Sequence, residues 1–76
     1  MFSAEEKNKI LRQIAESKYQ NIDVDLTPGS TYEDKTLVEY LIADGVILKG
    51  KAFKSNSRVS LSPNGLKLWG DGGYKD

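Results

Sequence analysis

The chain contains neither cysteine nor histidine. The first absence excludes disulfides and thiolate metal sites. The second removes the commonest metal ligand, the commonest general base and every Ser-His-Asp or Cys-His arrangement. No apolar run approaches the roughly 20 residues that cross a bilayer. Glu5, Glu6, Lys7 and Lys9 stand where the apolar region of a signal peptide would lie. These gaps point away from an enzyme, a cofactor carrier and a membrane protein, and toward a cytoplasmic one. What is present is 76 residues, 38% hydrophobic and 29% charged. That suffices for one small core and is not the composition of a disordered tail.

A net charge of zero conceals a split. Residues 1–45 hold five basic side chains against nine acidic ones, a balance of minus four. Residues 46–76 hold six basic side chains against Asp71 and Asp76, a balance of plus four. Between Val46 and Trp69 the charges are Lys49, Lys51, Lys54, Arg58 and Lys67, with no acid among them. Such asymmetry points to a polyanion surface or an acidic partner, and in its plainest form to a dipolar but inert surface.

Ser3 and Glu6 form a capping box before the apolar stripe Ile10, Leu11, Ile14 and Ala15, which predicts a helix over 4–18 with Tyr19 closing it onto the core. Ile22, Val24 and Leu26 then alternate with Asp23 and Asp25, the pattern of a half-buried strand, with a short irregular helical turn as the alternative. Thr27-Pro28-Gly29 is a turn. A second capping box at Ser30 and Glu33, or Thr31 with Asp34, opens a helix over 31–44 on the stripe Leu37, Val38, Leu41 and Ile42, and Gly45 caps its end. Its outward face carries Tyr32, Lys35, Thr36, Glu39, Tyr40 and Ala43, with Tyr40 packing against the hairpin that follows. Val46–Leu48 and Arg58–Leu61 read as the arms of a twisted hairpin over 46–61. Lys49-Gly50-Lys51 forms a bulge or an irregular bend and Ser55-Asn56-Ser57 the turn. Ser62-Pro63 starts a short helix that brings in Leu66, Leu68 and Trp69, with Trp69 as a lid on the core. Gly70, Gly72 and Gly73 end the ordered structure and leave 70–76 as a flexible tail. The expected core is Ile10, Leu11, Ile14, Leu37, Val38, Leu41, Ile42, Ile47, Val59, Leu61 and Leu66.

This is an α+β chain whose order, helix, strand, helix, basic hairpin, resembles a winged helix. Two runs carry the likeness. Leu41-Ile-Ala-Asp-Gly-Val-Ile-Leu48 looks like the end of a recognition helix entering the first wing strand, and Val59-Ser-Leu-Ser-Pro-Asn-Gly65 resembles the exit of the wing. In layout the chain is similar to small phage-associated winged-helix proteins of low-GC Gram-positive bacteria, over about residues 5–69. The resemblance implies one winged-helix domain over 1–69, with two main helices, a short strand, a C-terminal hairpin wing and a short final helix. It also implies a setting as a transcriptional regulator or a phage or prophage accessory factor. A complete helix-turn-helix has a middle helix as well, and only Tyr19–Ser30 is available for it, so that helix is short, distorted or missing.

Three functional readings follow. In the first, double-stranded DNA meets the second main helix at Thr31, Tyr32, Lys35 and Thr36, and meets the hairpin at Lys49, Lys51, Lys54 and Arg58, with Asn56 reaching a base edge. Four phosphate contacts give a slope of roughly −3.6 in log affinity against log salt. In the second, the acidic helix and basic hairpin bind a protein partner or a second copy, with Tyr32 and Tyr40 in the contact. In the third, Asp23, Asp25, Glu33 and Asp34 hold a hard cation, but their spacing matches no known loop and a solvated acidic face is the simpler reading. Gly70–Gly73 does not sit between a strand and a helix, so it is no phosphate loop. No cofactor, metal site or catalytic residue is expected.

Overall fold

A computed structural model describes residues 2–54 and 56–75. It is a small α+β fold of three helices and one three-stranded antiparallel sheet, in the order α1 (Ala4–Ala15), β1 (Asn21–Asp25), α2 (Lys35–Ala43), β2 (Ile47–Phe53), β3 (Asn56–Leu61), α3 (Pro63–Gly70). The Ser3–Glu6 capping box forms as expected: the Glu6 amide donates to the Ser3 hydroxyl and the Ser3 amide to the Glu6 carboxylate. Helix α1 stops three residues earlier than expected. Ser17 turns its hydroxyl onto the Ile14 carbonyl, and Gln20 takes a left-handed φ of 57°. Tyr19 consequently faces solvent, 73% exposed, and does not close the core.

Residues 21–25 are strand and not a helical turn, since β1 pairs along β3 from Asn21 opposite Ser60 to Asp25 opposite Asn56. The sheet order β1-β3-β2 puts β3 in the middle. Strand alternation turns Val24, Val59, Leu61 and Ile47 inward, and leaves Asp23, Arg58 and Asn56 outside. The bulge falls where the sequence placed it. Between Lys49 opposite Val59 and Ala52 opposite Ser57, Gly50 and Lys51 together face Arg58. The turn is shorter than expected, because Asn56 and Ser57 belong to β3 and Lys54 takes a φ of 58°; Ser55 lies outside the described residues.

Helix α2 starts at Lys35, four residues later than expected. The second capping box does not form. Ser30 instead donates its hydroxyl to the Asp25 carbonyl and accepts the Tyr32 amide, which holds 26–34 in turns with no helix. The C-terminal end behaves as Gly45 promised. With φ at 82°, Gly45 donates to the Ile42 carbonyl while Val46 donates to that of Leu41, the pair of bonds that closes a helix on a left-handed glycine.

The core unites Ile10, Leu11 and Ile14 of α1, Leu37, Val38 and Leu41 of α2, and Val24, Ile47, Val59 and Leu61 of the sheet, with Val46 between α2 and β2. Two expected members differ. Ile42 is only partly buried and Leu66 is 51% exposed, while Trp69 packs on the cluster's edge as expected.

The chain does not end its ordered course at the glycines. Gly72 and Gly73, both with positive φ, donate to the Trp69 and Leu68 carbonyls and close α3 as Gly45 closes α2. The chain is thereby turned back to α1. There the Asn8 carboxamide donates to the Tyr74 carbonyl and accepts the Tyr74 amide at 2.9 and 2.8 Å. The Tyr74 ring lies under the Lys7 ammonium, and its hydroxyl donates to Asp44 beyond the end of α2. Asp76 lies outside the described residues.

Candidate nucleic-acid interface

The nine residues expected to meet DNA fall into two groups. Lys35 and Thr36 occupy the first turn of α2, while Thr31 and Tyr32 precede the helix. Thr31 is exposed; Tyr32 is half-buried against the core, and burial together with the Asp34 charge raises its phenol pKa. The first turn therefore offers only Lys35 and Thr36. Lys35 is itself engaged, 3.4 Å from Glu39 one turn on, with its side chain 25% exposed. Asp34 is held 3.5 Å from Lys9 of α1. The outward face of α2 thus presents Thr36, Glu39, Tyr40 and Ala43, with little free positive charge. Tyr40 meets Phe2 at 5.7 Å between ring centroids and lies under Lys7, so its ring ties α2 to the start of the chain and to α1.

The other five stand on the hairpin. Lys49 shares the helix-facing side of the sheet with Val59, its register partner. It forms one wall of a groove of about 280 Å³ completed by Leu26, Glu39, Ile42 and Ala43. Lys51 is exposed at the bulge, and Lys54 is exposed where the arm turns. Asn56 is an exposed strand residue opposite Asp25, not a tip residue. Arg58 points outward, and its Nε donates to Asp23 at 3.4 Å across the β1–β3 pair.

Residue chemistry alone did not reveal which cations are already matched. Lys35 and Glu39 stand four apart, a spacing visible in the chain. Asp23 and Arg58 are 35 residues apart, and only the strand register brings them together. The acids proposed for a hard cation are separated in the same way: Asp23 faces Arg58, Asp34 faces Lys9, and Asp25 accepts both the hydroxyl and the amide of Thr27. Those bonds hold the Asp25 carboxyl below the usual range. Among the described residues no three acidic side chains gather as metal ligands. No helix among them is long and apolar enough to cross a membrane.

Comparison with protein-family models, with curated proteins and with solved structures finds no match to this chain.

Proposed function

We propose that this chain is a winged-helix protein that binds double-stranded DNA, led by the β2–β3 hairpin and not by α2. The observation that carries the reading is the charge of that arm: Lys49, Lys51 and Lys54 stand on it with no acidic residue anywhere between Val46 and Trp69. A two-stranded basic arm can follow a phosphate ridge, and neutralised phosphates supply most of the affinity of such contacts. The middle position of β3, with the hairpin following α2, supports the winged-helix assignment.

Helix α2 contributes less. No helix stands between α1 and α2 to seat it as the middle helix of a complete helix-turn-helix does, its lysine is paired, and Glu39 repels phosphate. Thr36 is the residue left to touch a base edge, so discrimination among sequences is weak. Three phosphate contacts along the hairpin give a slope of roughly −2.7, at about 0.9 per contact. Fluorescence anisotropy of a labelled mixed-sequence duplex, across salt, tests this. A slope near that value supports hairpin-led binding, and no salt-dependent binding rejects it. A cytoplasmic regulator or phage accessory factor is the setting that the winged-helix resemblance implies.

A second reading rests on α2 itself. Its outward face, bearing Glu39 and Tyr40, suits a basic protein partner or the hairpin of a second copy. Under that reading the duplex leaves the hairpin unmoved, and sedimentation or a partner titration perturbs Thr36, Glu39 and the hairpin together.

A further inference from the structure

The outward face of the sheet is polarised across its width. Strand β1 contributes Asp23 and Asp25, which stand in register with Arg58 and Asn56 of β3. On the far side of β3, the bulge sets Gly50 and Lys51 against Arg58. Arg58 thus lies between a carboxylate on one flank and a lysine position on the other. Its guanidinium goes to the carboxylate, 3.4 Å from Asp23, with both side chains more than half exposed at 64% and 54%. The second acid on this edge is stably charged, since Thr27 donates two hydrogen bonds to Asp25.

The geometry points to strand β1 as an internal anionic guard. Asp23 occupies Arg58 as a phosphate would, and the acidic β1 edge confines a bound duplex to the β2 side of the hairpin. The inference rests on the DNA reading and names a regulation of that site. A guanidinium pairs with carboxylate and phosphate through the same forked donors, so the two compete for it. The competition is close, because an exposed ion pair is worth only about 0.2–1 kcal/mol. A change at Asp23 is therefore enough to move Arg58 from one partner to the other. The guard sets both the strength of DNA binding and the edge on which it occurs.

The test compares wild type, Asp23→Asn and the double variant Asp23→Asn/Arg58→Gln in duplex anisotropy over about 50–200 mM salt. Both side chains are solvated, so the variants keep the fold, which thermal melts verify. Asp23→Asn should tighten binding by up to about fivefold, the equivalent of one such pair. It should also steepen the slope by about 0.9, the value of one added phosphate contact. Both gains should vanish in the double variant. Equal affinity and slope in wild type and Asp23→Asn would overturn the guard and leave the DNA reading standing. A gain that survives Arg58→Gln would also overturn it, by showing that bulk charge and not Arg58 is responsible. Binding by Asp23→Asn alone would uphold the guard at full strength, whereas binding by neither protein removes the DNA reading and the guard with it.

Discussion

The backbone of Gly65 rests against the Val46 carbonyl, at a separation no side chain can enter: a Cβ built on Gly65 collides with that oxygen. Ser62 holds the two segments there. Its amide donates to the Val46 carbonyl at 3.0 Å, its hydroxyl donates to the Gly45 carbonyl, and the Gly65 amide donates back to that hydroxyl at 3.0 Å. One serine and one glycine thereby dock α3 on the turn that leaves α2 and enters the hairpin. This gives a physical reason for the Leu-Ser-Pro-Asn-Gly run at the hairpin exit.

Replacing Gly65 with Ala should destabilise the protein, although alanine favours helix by up to about 1 kcal/mol. Forced overpacking costs about 1–3 kcal/mol, and the atom in the way is backbone, which cannot swing aside. For a chain of this size each kcal/mol lowers the melting temperature by about 4–8 °C. A melt of Gly65→Ala at or above wild type would show that α3 is not held as described.

What could be read in advance was local. The Ser3–Glu6 box, the Gly45 stop, the Ser62-Pro63 start and the alternation in β3 each lie within a few residues, and each formed. Local patterns misled where another group, near or far in the chain, competed for the same atoms. Ser30 could cap a helix, but the Asp25 carbonyl and Tyr32 amide claimed its hydroxyl first. Gly72 and Gly73 read as chain breakers, yet they close α3 and aim Tyr74 at Asn8, 66 residues away. The candidate interface shows the same limit. The basic hairpin is plain in composition, while the capture of Arg58 by Asp23 depends on a register that composition does not encode.

Leu41 is fully buried at the centre of the cluster. Its replacement by Ala should cost about 2–5 kcal/mol, a large share of the roughly 5–15 kcal/mol that holds a domain together. Urea unfolding measures this directly, and a midpoint near wild type would remove Leu41 from the core.

Tyr74 ties the end of the chain to α1 and Asp44. Replacing Asn8 with Ala removes two hydrogen bonds to its backbone and should cost about 1–3 kcal/mol. Burial, then the bond to Asp44, raises the Tyr74 phenol pKa above its ordinary value of about 10. The neutral phenol is therefore the form that folding favours. Its contribution is complete below about pH 10 and is lost as pH rises from there toward the folded value. Tyr32 is raised in the same direction and adds to the alkaline loss. Tyr74→Phe should lower stability at neutral pH and decline less steeply than wild type above about pH 10. Parallel declines would show that Tyr74 does not couple to folding.

On the proposed reading the hairpin, and not α2, grips duplex DNA. The most direct measurement is an amide NMR titration of wild type and of Lys51→Glu/Lys54→Glu with one mixed-sequence duplex at low salt. Both lysines are exposed, so the variant should stay folded. Wild-type amides from Lys49 to Arg58 should shift on addition of DNA and relax as salt is raised, while those of the charge-reversed protein stay fixed. A folded wild type whose hairpin amides do not move, or a charge-reversed variant that binds as tightly as wild type, would contradict the claim.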